Sequence, residues 1–329
     1  MAATLKDIAQ ATGFSISTIS RALSGHPRIS EATRTTIQRA AHELGYRPNA
    51  HARALRNSRT DTIGVVIPNL SDPYFALIGA AIEKEAEQAG VSTVMTASSE
   101  NPARLADALE TLNRRRVDGI IAVPVAGADH PLTYTAQHCP LILIDREAAG
   151  LPSVVSDPSP GMGAALEHLK ARGHTSIGYI PGPADSSTGI SRLAFMRKAA
   201  TDFDLHVAKG GSTREAGYSS AMQLFFTDMT ALVAGDSMMA AGAMDACYNS
   251  GVGIGTDLAF IGFDDLDIFR LQPTPISVVD QDMPALGRVA TRQLLKAIDT
   301  NSTPEGIRLP TYFYPRLSTA SAPKGLAHR

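Results

Sequence analysis

Cysteine is scarce in this chain of 329 residues: Cys139 and Cys247 are the only two and lie far apart, so neither a disulfide framework nor a cysteine zinc site is encoded. A reducing, cytoplasmic setting fits. No stretch reaches the ~18 to 20 consecutive apolar residues of a membrane span, and residues 4–10 are amphipathic rather than continuously apolar, so a soluble, non-exported protein is expected. Catalytic signatures are missing too: there is no G-x-S-x-G elbow, no H-E-x-x-H and no phosphate-binding loop. Gly251-Val-Gly253-Ile-Gly255 lies between a helical pattern and the next strand, where a dinucleotide fingerprint would follow a strand, so it reads as a turn. His168 and His174 fall at a helix end and read as surface or capping groups. No enzyme, cofactor or metal site is expected. No internal repeat or low-complexity tract is evident.

Net charge is also small, −2 overall, but it is unevenly spread. Up to Arg59 there are nine basic residues against three acidic ones, a net of +6, which leaves −8 for the remainder. The positive charge therefore sits where a nucleic-acid phosphate contact would need it. The same segment carries a helix-turn-helix pattern. Leu5, Ile8 and Ala9 form an apolar stripe, Gly13 supplies the turn, and Ser15 is placed to cap a second helix whose Ile19 and Leu23 face inward. The remaining faces of that helix hold Ile16, Ser17, Thr18, Ser20 and Arg21, a set suited to base edges and phosphates.

A third helix is expected over 31–44, capped by Ser30 and ended by Gly45. Residues 49–56 form a possible short helix, capped by Asn49 and too short to persist alone in water, where isolated helices need ~12 to 15 residues. From Thr62 onward, short apolar strands (62–67, 91–97, 119–123, 141–144, 177–180, 231–234, 258–263) alternate with helices (75–89, 103–115, 161–172, 191–202, 215–226, 238–249). This is the pattern of parallel α/β sheets. Their number suggests two lobes, with a boundary near 157–160, where Ser-Asp-Pro-Ser-Pro breaks regular structure. Residues 275–316 hold a strand, a helix and a strand that cross back between lobes.

In this order and spacing, T-L-K-D-I-A, S-T-I-S-R-A-L-S-G, R-I-S-E-A-T-R, L-G-Y-R-P-N-A, T-I-G-V-V-I-P, D-P-Y-F, R-R-V-D-G-I-I, L-I-D-R, E-H-L-K-A-R-G-H, I-G-F-D-D and Q-D-M-P-A-L-G resemble the LacI (LacI/GalR) family of transcription regulators over nearly the whole length. The resemblance implies an all-α helix-turn-helix head (1–48), a hinge helix and linker (49–60), and an α/β effector domain (61–329) similar to periplasmic sugar-binding proteins. Its two Rossmann-like lobes would be 61–157 with 283–308, and 158–282 with 309–320. It also implies a homodimer whose affinity for operator DNA answers to a small metabolite, with repression the default. No heptad tail follows Leu317, so a tetramer is not expected.

In such a family Ile16, Ser17 and Arg21 carry direct readout, Arg21 gripping a guanine through O6 and N7 and Ile16 offering apolar contact. Thr18, Ser20 and Tyr46 are candidates for phosphate contacts. The alternative is that Ile16 is core and Arg21 a solvated charge. The hinge, with Asn49, Ala52 and Leu55, would enter the minor groove, Leu55 as a wedge at the centre of a pseudo-palindromic operator with a central CG step.

Ligands of open α/β sheets bind beyond the carboxyl ends of the strands. Tyr74 and Phe75 follow the first strand there, Asp145 and Arg146 another, and Asp236 and Asp264 two more; carboxylates with aromatic faces suit a sugar or other polyol. The resemblance adds Arg192, Tyr218 and Gln281. For each aspartate helix capping is the competing role, and for the aromatics ordinary packing. Many relatives carry Asn-Asp where this chain has Gly235-Asp236, which leaves the effector, a sugar or a nucleoside, unspecified. A sugar-binding transport protein would share the lobed body but not the basic head.

Overall fold

A computed structural model describes residues 3–23, 26–46 and 59–320. The chain divides into two compact units, 1–60 and 61–329. In the first, α1 (Leu5–Thr12), α2 (Ile16–Leu23) and α3 (Glu31–Glu43) pack around Ile8, Ile19, Ala22, Ile37 and Ala41. Leu23, Ala9 and Tyr46 lie at the rim of this core, so the inward stripe of α2 runs through Ile19 and Ala22 with Leu23 at its edge. Local chemistry sets each boundary. Gly13 takes φ +72° at the end of α1, a left-handed conformation that costs glycine little. The Ser15 hydroxyl accepts from the Thr18 amide at 3.2 Å, and Ser30 accepts from Thr33 at 3.3 Å.

The second unit holds two six-stranded sheets. Numbering strands along the chain, the first sheet contains β1 (Thr62–Ile67), β2 (Ser92–Ala97), β3 (Gly119–Ala122), β4 (Leu141–Ile144), β5 (Ser153–Asp157) and β11 (Ile307–Pro310). Their spatial order is β11-β5-β4-β3-β1-β2, all parallel. The second sheet contains β6 (Ser176–Ile180), β7 (Asp204–Val207), β8 (Ala231–Ala234), β9 (Ala259–Phe263), β10 (Ser277–Asp280) and β12 (Tyr312–Tyr314), ordered β12-β10-β9-β8-β6-β7, with only β12 antiparallel. Helices cover both faces of each sheet. That is why β3, β4 and β8 are buried at every position and show no polar alternation.

The segment 157–160 does not break regular structure. Strand β5 ends at Asp157 and helix Ser159–Ala171 begins almost at once, with Pro160 in its first turn, where a missing N–H costs nothing. After β10 the chain enters helix Met283–Thr300, which packs on β3, β4 and β5 of the first sheet, then supplies β11 to that sheet and β12 to the other. The three segments joining the sheets are hydrogen-bonded to one another. Ser156 Oγ donates to Gln281 Oε1 at 2.6 Å, and Thr311 Oγ1 donates to the Asp157 carbonyl at 2.8 Å. Among the described residues no helix is long and apolar enough to cross a membrane.

Candidate functional site

On α2, Ile16, Ser17 and Arg21 are exposed, Ile16 by 44%, so Ile16 is not a core residue. Thr18 and Ser20 are half-buried beside them, and the Thr18 hydroxyl is engaged with Ser15 at 2.8 Å. Tyr46 is half-buried with its ring against the core of the head. Asn49, Ala52 and Leu55, and with them the expected hinge helix, lie outside the described residues.

In the body, residues at the carboxyl ends of both sheets converge on one cavity of about 50 Å³, which shares Glu100, Arg146, Pro183 and Ser212 with an outer cleft of about 630 Å³. Tyr74, Phe75, Asp145, Arg146, Arg192, Asp236, Asp264 and Gln281 all line the cavity. Asp145 and Asp264 are each the first residue beyond their strand and take φ +70° and +67°, left-handed values that are uncommon for residues other than glycine, Asp and Asn being the tolerated cases. Strained backbone of this kind clusters at ligand sites.

The polar groups form two linked sets. On the first sheet's side, the Tyr74 hydroxyl donates to Asp145 Oδ1 at 2.6 Å, while Arg146 grips Glu100 through two bonds of 2.8 and 2.9 Å and lies 3.4 Å from Asp145 Oδ2. On the other side, the Arg192 guanidinium carbon lies over the Phe263 ring, 3.9 Å from its centre, and the group donates to the Gly235 carbonyl at 2.8 Å and to Gln281 Oε1 at 3.1 Å. Gln281 Nε2 in turn donates to Asp264 Oδ1 at 2.7 Å.

Negative charge is in excess here. Burial pushes the Asp264 carboxyl up to about 8, with Arg192 and Gln281 opposing and the Asp236 and Asp145 carboxylates adding to the rise. Burial also raises Asp236, against the pull of Arg192 and of the Met238 and Met239 amides that it caps. Asp72, which caps helix Pro73–Gln88 through the Tyr74 amide, is raised by burial as well. Asp236 and Asp72 therefore both cap helices and line the cavity.

Tyr218 is not brought to this cavity. It is half-buried on helix Arg214–Leu224, packed against the body's core; that helix lies so close to helix Ser237–Asn249 that a Cβ at Gly242 would sit 2.6 Å from the Tyr218 amide nitrogen. Asp265 is committed to Arg316, through bonds of 2.7 and 2.8 Å. His174 is buried rather than at the surface, with Nδ1 2.8 Å from Thr230 Oγ1, and His168 meets Thr319 Oγ1 at 2.9 Å. Glu100, Thr188, Ser212 and Met238 line the cavity without having been singled out in sequence. Glu100 lies three residues beyond the end of β2, so the strand-end rule that found Asp145 would have reached it.

Residues 4–49 match the family described as bacterial regulatory proteins of the lacI family, and residues 60–316 match the periplasmic binding proteins and sugar-binding domain of the LacI family. The chain belongs to the LacI family. It is 30% identical to the transcriptional regulator GalR of Salmonella typhimurium, over 99% of this chain and 98% of that protein. It is 29% identical to the transcriptional repressor PurR of Escherichia coli, over 98% of each chain. Among solved structures, the Lac repressor dimer bound to operator and the anti-inducer ONPF superimposes with a TM-score of 0.85 at 27% identity, over 97% of this chain and 99% of that one. This LacI-family chain is thus a DNA-binding transcription regulator with a body for a small-molecule effector, and its named relatives are regulators rather than enzymes.

Proposed function

We propose that this regulator is a cytoplasmic, homodimeric repressor whose affinity for a pseudo-palindromic operator with a central CG step is set by a sugar or nucleoside held at Tyr74, Phe75, Asp145, Arg146, Arg192, Asp236, Asp264 and Gln281. The observation that carries the effector class is the pairing of acceptor carboxylates with two arginines around a buried cavity edged by aromatic rings. Each ring hydroxyl of a polyol both donates and accepts. Asp145 accepts from these hydroxyls, the Asp264 carboxyl, held protonated by burial, can both accept and donate, Arg146 and Arg192 donate to the hydroxyl lone pairs, and the Tyr74 and Phe75 rings, 4.9 Å apart, offer apolar surface to the C–H face.

On the head, Ile16, Ser17 and Arg21 would read bases, with Thr18, Ser20 and Tyr46 on phosphates and Asn49, Ala52 and Leu55 at the minor groove. Effector binding between the sheets changes the angle between them and so the geometry offered to the two operator half-sites. A coupling of roughly 1 to 3 kcal/mol would change operator affinity by roughly 5- to 150-fold.

Thermal-shift screening of the full chain against sugars, nucleosides and sugar phosphates tests the effector class, since bound ligand raises the melting temperature by mass action. A stabilising compound should then change operator affinity in a titration. Stabilisation by none of these classes, or by one that leaves operator affinity unchanged, would refute the proposal.

A further inference from the structure

A second cluster of polar groups lies at the other end of the second sheet. Strand β7 is an edge strand, and Asp204 and His206, two residues apart, project from the same face of it. Asp228 comes to them from the loop ahead of β8, and Ser176, the first residue of β6, pairs in register with Asp204. His206 Nε2 is 3.4 Å from Asp204 Oδ2, 3.1 Å from Asp228 Oδ1 and 3.1 Å from Ser176 Oγ. The three ligand atoms of Asp204, His206 and Asp228 all fall within 4.8 Å of one another.

We propose that Asp204, His206 and Asp228 bind a divalent first-row transition-metal ion of the zinc type, with water completing the coordination. Zinc bonds of about 2.0 to 2.2 Å to nitrogen and oxygen place neighbouring ligands of a tetrahedron about 3.3 to 3.6 Å apart. Separations of 3.1 and 3.4 Å from the imidazole nitrogen are thus within a few tenths of an ångström of that geometry. Electrostatics favours a cation at the same point. The imidazole nitrogen faces two carboxylate oxygens, and its single proton cannot serve both, whereas a metal ion among the three groups would be bonded to each, leaving the Ser176 hydroxyl to donate to Asp228 Oδ1 at 3.2 Å.

One imidazole with two carboxylates selects zinc, cobalt or nickel over calcium and magnesium, which favour all-oxygen shells, and over the thiolate-seeking metals. Asp204 and Asp228 are exposed, so the ion has direct access from solvent. A bound ion would tie edge strand β7 to the loop preceding β8, across the amino-terminal end of β6. The effector cavity lies at the carboxyl ends of the same strands, so the two sites are separate. No local motif announces the cluster, because Asp228 lies 22 positions beyond His206 in the chain.

The test is a titration of the chelator-treated full chain with Co²⁺, read by its visible absorption, and with Zn²⁺, read by calorimetry and melting temperature. One ion per chain is expected, with a rise in melting temperature. His206→Gln and Asp228→Asn should each weaken binding by at least the roughly tenfold that even an outer-shell partner of a metal ligand is worth. Both variants should keep the wild-type circular-dichroism spectrum. Absence of binding at millimolar metal, or binding unchanged in both variants, would overturn the proposal; the latter would place the ion on other histidines.

Discussion

Replacing Asp264 with asparagine should make the body more stable as pH rises, and lose effector. The Asp264 side chain is 2% exposed, and its carboxyl is pushed up to about 8 from an ordinary 3.8, chiefly by burial. Between those values the folded protein keeps a proton that the unfolded chain has released. Unfolding then releases a proton, so stability contributed by this group is highest below about pH 4 and falls as pH rises towards 8. Four units at about 1.4 kcal/mol each set a ceiling of roughly 6 kcal/mol, which reorientation of Arg192 towards the ionised group would lower. Asparagine has the same shape, stays neutral throughout, and can still accept from Gln281 Nε2. The Asp264→Asn advantage should therefore be negligible near pH 4 and reach several kcal/mol near pH 8. Urea unfolding of the full chain, followed by circular dichroism across that range, measures it. Stability curves for the two proteins that run parallel in pH would refute the reasoning. The expected divergence would make the aspartate a group that the fold tolerates at a cost because ligand recognition uses it.

Arg21→Ala should cost about 1 to 3 kcal/mol on the preferred operator and relax discrimination at one base pair, as measured by fluorescence titration of operator variants. A uniform loss on every sequence would instead make Arg21 a phosphate contact. Gly235→Ala should destabilise the body by roughly 1 to 3 kcal/mol, because the added Cβ would sit 2.3 Å from the buried Tyr179 hydroxyl. An unchanged unfolding midpoint would show that Tyr179 yields freely.

What could be read in sequence was what local chemistry dictates. Gly13, Ser15 and Ser30 mark helix ends by their own conformational and capping preferences, and the structure places those ends within a residue or two of the expected positions. The almost wholly apolar strands β1, β3, β4, β8 and β9 are equally visible. Strand β5 was not, since Ser-Val-Val-Ser-Asp is short and half polar, and nor was β7, whose Asp-Leu-His-Val lies at a sheet edge. Helix Asp129–His138 was missed for a related reason: Pro131 and two threonines mask a weak apolar stripe. In the cavity, the strand-end rule found Asp145, Asp236 and Asp264 without alignment. It could not show that Arg146 is held by Glu100, or that Gln281 joins Arg192 to Asp264, because those pairings are made only when separate crossover connections come together.

Gln281 also accepts the Ser156 hydroxyl, and Asp157 next to Ser156 is bonded to Thr311. Gln281, Thr311 and the Ser156-Asp157 pair belong to three different straps between the two sheets, so the straps are laced into one band, and through Gln281 the lacing reaches the Asp264 carboxyl that lines the cavity. A molecule held against Asp264 and Gln281, as proposed, would therefore press on the same hydrogen-bonded seam that joins the two sheets, so that recognition and inter-sheet linkage share one set of side chains.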